Sequence, residues 1–290
     1  MPKLISAIGP KGFERSNKKI VDILSRALAR PDINGIYPGR GGKKLSDSLH
    51  YIDDSFGLAV YGEQHRGSED FQVKDWQPFA FSESEQHFTD TSIYKNGKNT
   101  YAFCSDSESD AEVSFRLVNV SECMSVKQSE RNNGCMVNIA GLCEGGSIIF
   151  PIAKTEEALR LQVEEEKNKR ELINLIRKGD ETAVFQMFRK TMEMAEMIKE
   201  RLKTDDVLSI FDMYFLPNEK RSGYYAILGE ISDIEMLTNK YTNQKIYTFD
   251  VSIGNFKVKM LINKSDLLGM PMPGMRFMGT CELQGTVRFL

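Results

Sequence analysis

Four methionines, Met270, Met272, Met275 and Met278, crowd the stretch DLLGMPMPGMRFMGTCELQG (266–285). Thioethers at such spacings suit a soft cation such as Cu(I), provided that they converge on one point. Pro271, Pro273 and Gly274 forbid a helix there, and strand alternation from Met275 onward sends Met275, Phe277, Cys281 and Leu283 to one face and Met278 to the other. The ligands diverge, so the methionines read as flexible filler of loop and core. Charged residues inside apolar segments are the stronger candidates. Asp212 interrupts SIFDMYFLP, which is apolar on both faces, so its carboxylate needs a partner, and Arg276 is one candidate. With Glu230 and Asp266 these form the candidate ligand or partner contacts: Asp212, Glu230, Asp266 and Arg276. The plainer alternatives are a structural ion pair for Asp212 and a turn cap for Asp266. Gln284 shares this ambiguity.

Other chemistries fail on spacing. GIYPGRGGKK (35–44) offers glycines and lysines to an anion, but a phosphate loop ending at Gly42-Lys43 would need glycine at 37 and Ser or Thr at 44, where Tyr37 and Lys44 stand. His50, His65 and His87 fall in separate polar stretches, and no cysteine lies at ligand spacing from another, so no metal site is read. SDSESDAE (105–112) lacks the glycine and the terminal glutamate of a calcium loop. Cys104, Cys123, Cys135 and Cys143 lie in or beside strand-like runs, where a cysteine usually serves as a small buried hydrophobe. No catalytic residue and no cofactor is assigned.

The chain is long enough, at 290 residues, for more than one core. Its 41% hydrophobic and 27% charged composition excludes a disordered or fibrous chain. A net charge of -3 removes the broad basic excess of nucleic-acid binders. The odd set of five cysteines, without a C-x-x-C pair, reads as reduced thiols. MPKLISAIGPKGF holds too short an apolar run for a signal segment, and no run reaches membrane-spanning length, which points to the cytoplasm.

SNKKIVDILSRALAR (16–30) places Ile20, Ile23, Leu24, Ala27 and Leu28 on one face, with Ser16 as cap and Pro31 as stop, and predicts an amphipathic helix. The segment from Pro31 to about Asp54 is rich in Gly, Pro and Lys and reads as a long loop. Short strands are predicted over 57–63, 76–82, 99–105, 111–120, 135–143 and 146–152, separated by polar stretches such as SESEQHFTD. From Lys154 the pattern turns helical, with the pairs Glu165–Lys169 and Glu166–Arg170 and a stop at Gly179. A second helix carries the stripe Val184, Phe185, Phe188, Met192, Ala195, Ile198 and Leu202. After Thr204 five strand-like runs return, with a turn at Gly254-Asn255. Their rhythm suggests a small Greek-key barrel of the OB type, with an SH3-like barrel as the alternative. In that arrangement Ile246, Thr248, Asp250 and Ser252 of one strand and Lys257, Lys259 and Leu261 of the next would face outward, a surface with two lysines but without an aromatic platform for bases.

SAIG (6–9), GLAVYGE (57–63), IIFPIAKTE (148–156), RKGDETA (177–183), SIFDMYFLP (209–217), YAILGEI (225–231), INKSDLLG (262–269) and PGMRFMGTCELQG (273–285) resemble, in order, a bacterial family of uncharacterised proteins, the domain of unknown function 3881. The resemblance covers nearly the whole chain and implies a bacterial cytosolic protein without supplying an activity or a site residue. The sequence departs from the family pattern at the methionines 270, 272 and 275, at Cys281 and over 31–50.

The fold expected is α+β, with three parts. An N-terminal antiparallel sheet with a helix spans 1–153, a helical hairpin linker 154–204, and a C-terminal OB-like five-stranded β-barrel 205–290. The function expected is that of a non-catalytic binding or adaptor protein for an unknown protein or small ligand. Nucleic acid is an improbable partner and a membrane is not expected. The alternatives are an enzyme with a carboxylate-based site around Asp212, Glu230 and Asp266, or weak single-stranded nucleic-acid binding through the barrel.

Overall fold

A computed structural model describes residues 3–10, 18–65, 72–106, 111–126, 134–151, 164, 167–168, 171–201, 211–254 and 256–290. The chain divides into two units, one from Met1–Ile149 with Met213–Leu290, the other Phe150–Asp212.

The first unit is built of strands, two α-helices and short 3-10 turns. After a 3-10 turn (Lys3–Ile8) and helix α1 (Lys18–Ala29) come β1 (Ile33–Pro38), β2 (Lys44–Asp53), β3 (Phe56–Gln64) and β4 (Gln72–Ala80). These four form an antiparallel meander in the order β1-β2-β3-β4. Strands β5 (Glu85–Phe88), β6 (Asp90–Asn96), β7 (Asn99–Asp106) and β8 (Ala111–Leu117), helix α2 (Val120–Ser125) and the long β9 (Cys135–Ile149) follow. From the far side of the helical unit come β10 (Tyr214–Pro217), β11 (Tyr224–Thr238), β12 (Lys245–Ile253), β13 (Phe256–Asn263), β14 (Leu267–Leu268) and β15 (Arg276–Phe289). All of β5 to β15 belong to one 11-stranded mixed sheet, with the main order β10-β11-β12-β13-β9-β15-β8-β7-β6.

This topology corrects the expected fold class. The C-terminal segment does not make a five-stranded OB-like barrel of its own. β13 pairs in parallel with β9 through Lys259–Leu261 against Ala140–Leu142, and β15 lies antiparallel to β9 along its length, from Arg276 opposite Ile149 to Phe289 opposite Cys135. β15 also pairs with β11 and, in parallel, with β8. Strands from both ends of the chain thus interleave, and the N-terminal part is no free-standing sheet. The reason is a matter of edges: a strand's alternation settles which face is buried but leaves its two hydrogen-bonding edges open to any partner of matching pattern.

Two cores result. Phe115, Ile139, Ile227, Phe249, Met260, Phe277 and Leu283 form the larger one. Ile5, Ile8, Ile23, Phe56, Leu142, Ile246 and Leu261 form the second, beneath the N-terminal turn and α1. Ile246, Thr248 and Leu261, expected to face outward, are buried. The other residues of that face differ: Lys257 is exposed and Asp250, Ser252 and Lys259 are half-buried.

Local differences have local causes. The predicted loop from Pro31 to Asp54 contains β1 and β2, because Gly41 and Gly42, both at positive φ, turn the chain tightly between them. SESEQHFTD, read as a polar spacer, contributes β5, which pairs with Cys135–Asn138 of β9 at a part-exposed edge where apolar alternation is not required. The run 135–143 and the first part of 146–152 merge into β9, which ends at Ile149, residue 152 lying outside the described residues; β8 ends at Leu117, before VNV (118–120), and α2 starts at Val120. Predicted strands over 57–63, 99–105, 245–253 and 276–289 stand close to their expected bounds.

The second unit holds helical residues Glu171–Arg177, a turn at Gly179 (φ +86°) and helix α3 (Glu181–Arg201). Asp180 Oδ1 caps α3 by accepting from Thr182 N (2.9 Å) and Ala183 N (3.4 Å), and these donors hold its carboxyl below the usual range. The expected hairpin is not an element of the described fold. Val184, Phe185, Phe188 and Met192 are exposed instead of packing on a partner helix. The Glu165–Lys169 and Glu166–Arg170 pairs, Ser16, most of SDSESD, Leu202 with residues 207–210, and Asn255 of the predicted turn lie outside the described residues. Among those described, no helix is long and apolar enough to cross a membrane.

Candidate ligand-binding site

The site-forming geometry begins where β15 changes partners. One edge of β15 pairs with β11 as far as Glu282, opposite Tyr224, and then with β8 at Gln284 and Gly285, opposite Arg116 and Leu117. Two strands that share one edge must diverge, and a crevice opens between them. Here it is a polar concavity of about 320 Å³ lined by Tyr101, Arg116, Arg221, Tyr224 and Glu282, with Leu4, Asn96, Asn99, Lys220 and Ser222 completing the wall.

Arg116 and Glu282 are its buried charges, 9% and 2% exposed. Arg116 Nη1 stands 3.7 Å from Glu282 Oε2, while Nη2 donates to Asn99 Oδ1 at 2.9 Å. Glu282 Oε2 accepts from Gln284 Nε2 at 3.0 Å. Burial raises the Glu282 carboxyl above the usual carboxylate range, and the Arg116 guanidinium opposes that shift only in part. Gln284 is itself fully buried: its Oε1 accepts from Ala80 N and its Nε2 also donates to Pro78 O, which ties the meander to the floor of the crevice.

The opposite wall is a second Arg–Glu pair. Arg221 donates through Nη1 and Nη2 to the two carboxylate oxygens of Glu144 at 3.0 and 2.6 Å, and its guanidinium lies 3.4 Å over the Tyr224 ring. Bidentate pairing plus stacking fixes a side chain that would otherwise be mobile. Two local devices place it. In the β9–β15 ladder Cys143 faces Cys281 and Gly145 faces Thr280, so Glu144 is the extra residue of a bulge, which re-aims its side chain. The loop Asn218–Gly223 closes on itself, Asn218 N donating to Tyr224 O and Arg221 N to Asn218 O. Gly223 has φ +74°, and a Cβ there would stand 3.1 Å from Tyr101. Asn96 Nδ2 donates to Ser222 Oγ at 2.8 Å and joins that loop to the β6–β7 turn.

Beside the bulge, Cys143 and Cys281 are joined by a disulfide, both fully buried. This corrects the expectation of five reduced thiols: two cysteines without a sequence motif become neighbours because β9 and β15 set them directly opposite. Cys104, Cys123 and Cys135 are buried and outside any disulfide among the described residues.

The residues singled out from the sequence are dispersed. Glu230 and Arg276 are opposite one another in the β11–β15 ladder, Glu230 exposed and Arg276 buried. Asp266 ends the 3-10 turn Lys264–Asp266, whose cap is Asn263, accepting from Ser265 N, and it borders a separate shallow concavity with Met278 and Thr280. Asp212 belongs to the helical unit, just before β10, so it does not interrupt a strand. None of the four lines the polar crevice; only Gln284 supports it.

A second polar array links the meander to the β11–β12 turn. His50 Nε2 lies 2.9 Å from Tyr241 Oη and His50 Nδ1 3.4 Å from Asp32 Oδ2. Lys240 and Arg26 stand 5.5 and 5.6 Å from the Tyr241 ring centre. The turn is held rigid by buried Asn239, which donates to Ile8 O and accepts from Tyr241 N and Thr242 N. None of its members lines the polar crevice. Among the described residues no group of three or more His, Cys, Asp or Glu side chains could hold a metal ion.

A mostly β body with a polar crevice at a strand fork defines the class of protein. The chain belongs to the family described as domain of unknown function, E. rectale gene description (DUF3881), which it matches over residues 5–285. No curated protein and no solved structure matches it significantly.

Proposed function

We propose that the protein is a non-catalytic binding protein of the bacterial cytosol and that the crevice between β8, β11 and β15 receives a small polar ligand. One observation carries this reading: an enclosed pair of opposite charges, Arg116 and Glu282, at the floor of a concavity of about 320 Å³. Two charges removed from water are a net cost unless a partner satisfies them, and such residues lining a concavity are a common mark of a ligand site. The second pair, Glu144–Arg221, supplies a preformed wall, which lowers the ordering cost of binding. The carboxylates of the enzyme alternative are not gathered in this way, which favours binding over catalysis.

Native mass spectrometry of the protein purified from its own cells tests the proposal. A retained small molecule that is lost from the Arg116→Gln variant is expected. A wild-type protein that carries none, and whose Asn99, Tyr101 and Tyr224 amide resonances stay unmoved by a library of polar metabolites, would overturn it.

A further inference from the structure

The chemistry of the crevice floor narrows the ligand class, an inference that rests on the reading above. Arg116 and Glu282 face each other at 3.7 Å, too far to close a hydrogen bond, and among the described residues the guanidinium of Arg116 donates only to Asn99. Arg116 lines the concavity with hydrogen-bonding capacity to spare. An anion there would be drawn to Arg116 but repelled by Glu282, with Glu144 nearby on the wall; a cation would meet the reverse. A molecule carrying both signs a few ångströms apart complements the two residues together. We infer that the crevice binds a free α-amino acid, its carboxylate on Arg116 and its ammonium on Glu282.

The walls agree with this class. Tyr101 and Tyr224 present rings and Leu4 an aliphatic face, against which an amino-acid side chain can pack, while Asn96, Asn99 and Ser222 offer neutral hydrogen-bonding groups. A volume of about 320 Å³ admits an amino acid of medium or large size. The wall arginine, Arg221, is already satisfied by both oxygens of Glu144 and by the Tyr224 ring, so it shapes the site; of the other two lining cations Lys220 is exposed, and Arg116 is the buried one beside Glu282.

The test is calorimetric titration of the full-length wild-type protein with each proteinogenic L-amino acid, followed by the N-acetyl and methyl-ester derivatives of any that bind. At least one amino acid is expected to bind, with each derivative at least about tenfold weaker, because each removes one charge-assisted pair. Arg116→Gln should weaken the amino acid while affecting its methyl ester little, and Glu282→Gln should do the same with respect to the N-acetyl form. Derivatives that bind as well as the parent would overturn the inference. So would no amino-acid binding while another metabolite is retained in the crevice, an outcome that leaves the binding function standing. Because the derivatives are tested on the wild type, a variant that fails to fold does not remove the test.

Discussion

Buried carboxylates decide much of the chemistry at the residue scale. Asp47 is 4% exposed; its Oδ2 accepts from Ser121 N and Glu122 N, while Oδ1 has no hydrogen-bond partner among the described residues. Burial pushes its pKa up to about 6, the hydrogen bonds from Ser121 and Glu122 opposing. A carboxyl raised above its unfolded value binds more protons in the folded state. Its contribution is therefore favourable at acid pH and is lost as pH rises from about 4 to about 6, a change of about 3 kcal/mol for a shift of this size. Asp47→Asn keeps an acceptor for the α2 amides and cannot ionise. The variant should match the wild type in stability below pH 4 and exceed it above pH 6.5, by up to about 3 kcal/mol. Urea unfolding at a series of pH values measures this, and parallel pH profiles for the two proteins would contradict it. The residue-level lesson is that Asp212, Glu230, Asp266 and Arg276 attracted notice because they sit in apolar segments. Arg116 and Glu282 sit in AEVSFRLVNV and TCELQG with no less apolar surroundings. Which of these charges would meet was a question of register, and register is invisible in a single strand.

The decisive element is the β9–β15 pair. Its bulge sends Glu144 toward Arg221, and its disulfide closes a loop of 138 residues in sequence separation. Constraining so long a loop in the unfolded chain gives an expected stabilisation of about 2–5 kcal/mol. The Cys143→Ala/Cys281→Ala double variant should unfold at correspondingly lower denaturant. Peptide mapping without reductant should find these two cysteines linked and Cys104, Cys123 and Cys135 free; five alkylatable thiols would show that the bridge does not form. Amphipathic patterns were legible at this scale: α1 follows the spacing of Ile20, Ile23 and Leu24, and β12, β13 and β15 follow their alternation. Strands β1, β5 and β6 were not legible, because partly exposed edge strands bear mixed residues and their ladders, made by the backbone, leave no pattern in side chains.

At the scale of the whole molecule, the interleaving of both chain ends makes a strong demand on folding. β11 to β15 depend on β9 and β8, more than a hundred residues away in the case of the β15–β9 ladder. The fragment 205–290 alone should therefore lack a dispersed amide NMR spectrum and a cooperative transition. Coexpression with 1–204 should restore both; an independently folded fragment would contradict the topology. Long-range pairing of this kind also predicts slow folding, since loop-closure entropy is incurred before the contacts that offset it.

The sequence by itself determined the family, through short motifs in fixed order, and with it the positions of α1 and most C-terminal strands. It also determined the absence of an overall basic charge. Tertiary structure alone decided that β9 completes the C-terminal strands, that Cys143 meets Cys281, and that Arg116 and Glu282 share a crevice. The division has one physical cause. Side-chain periodicity records which face of an element is buried, whereas the partner along a strand's edge is chosen by backbone groups that every residue carries alike.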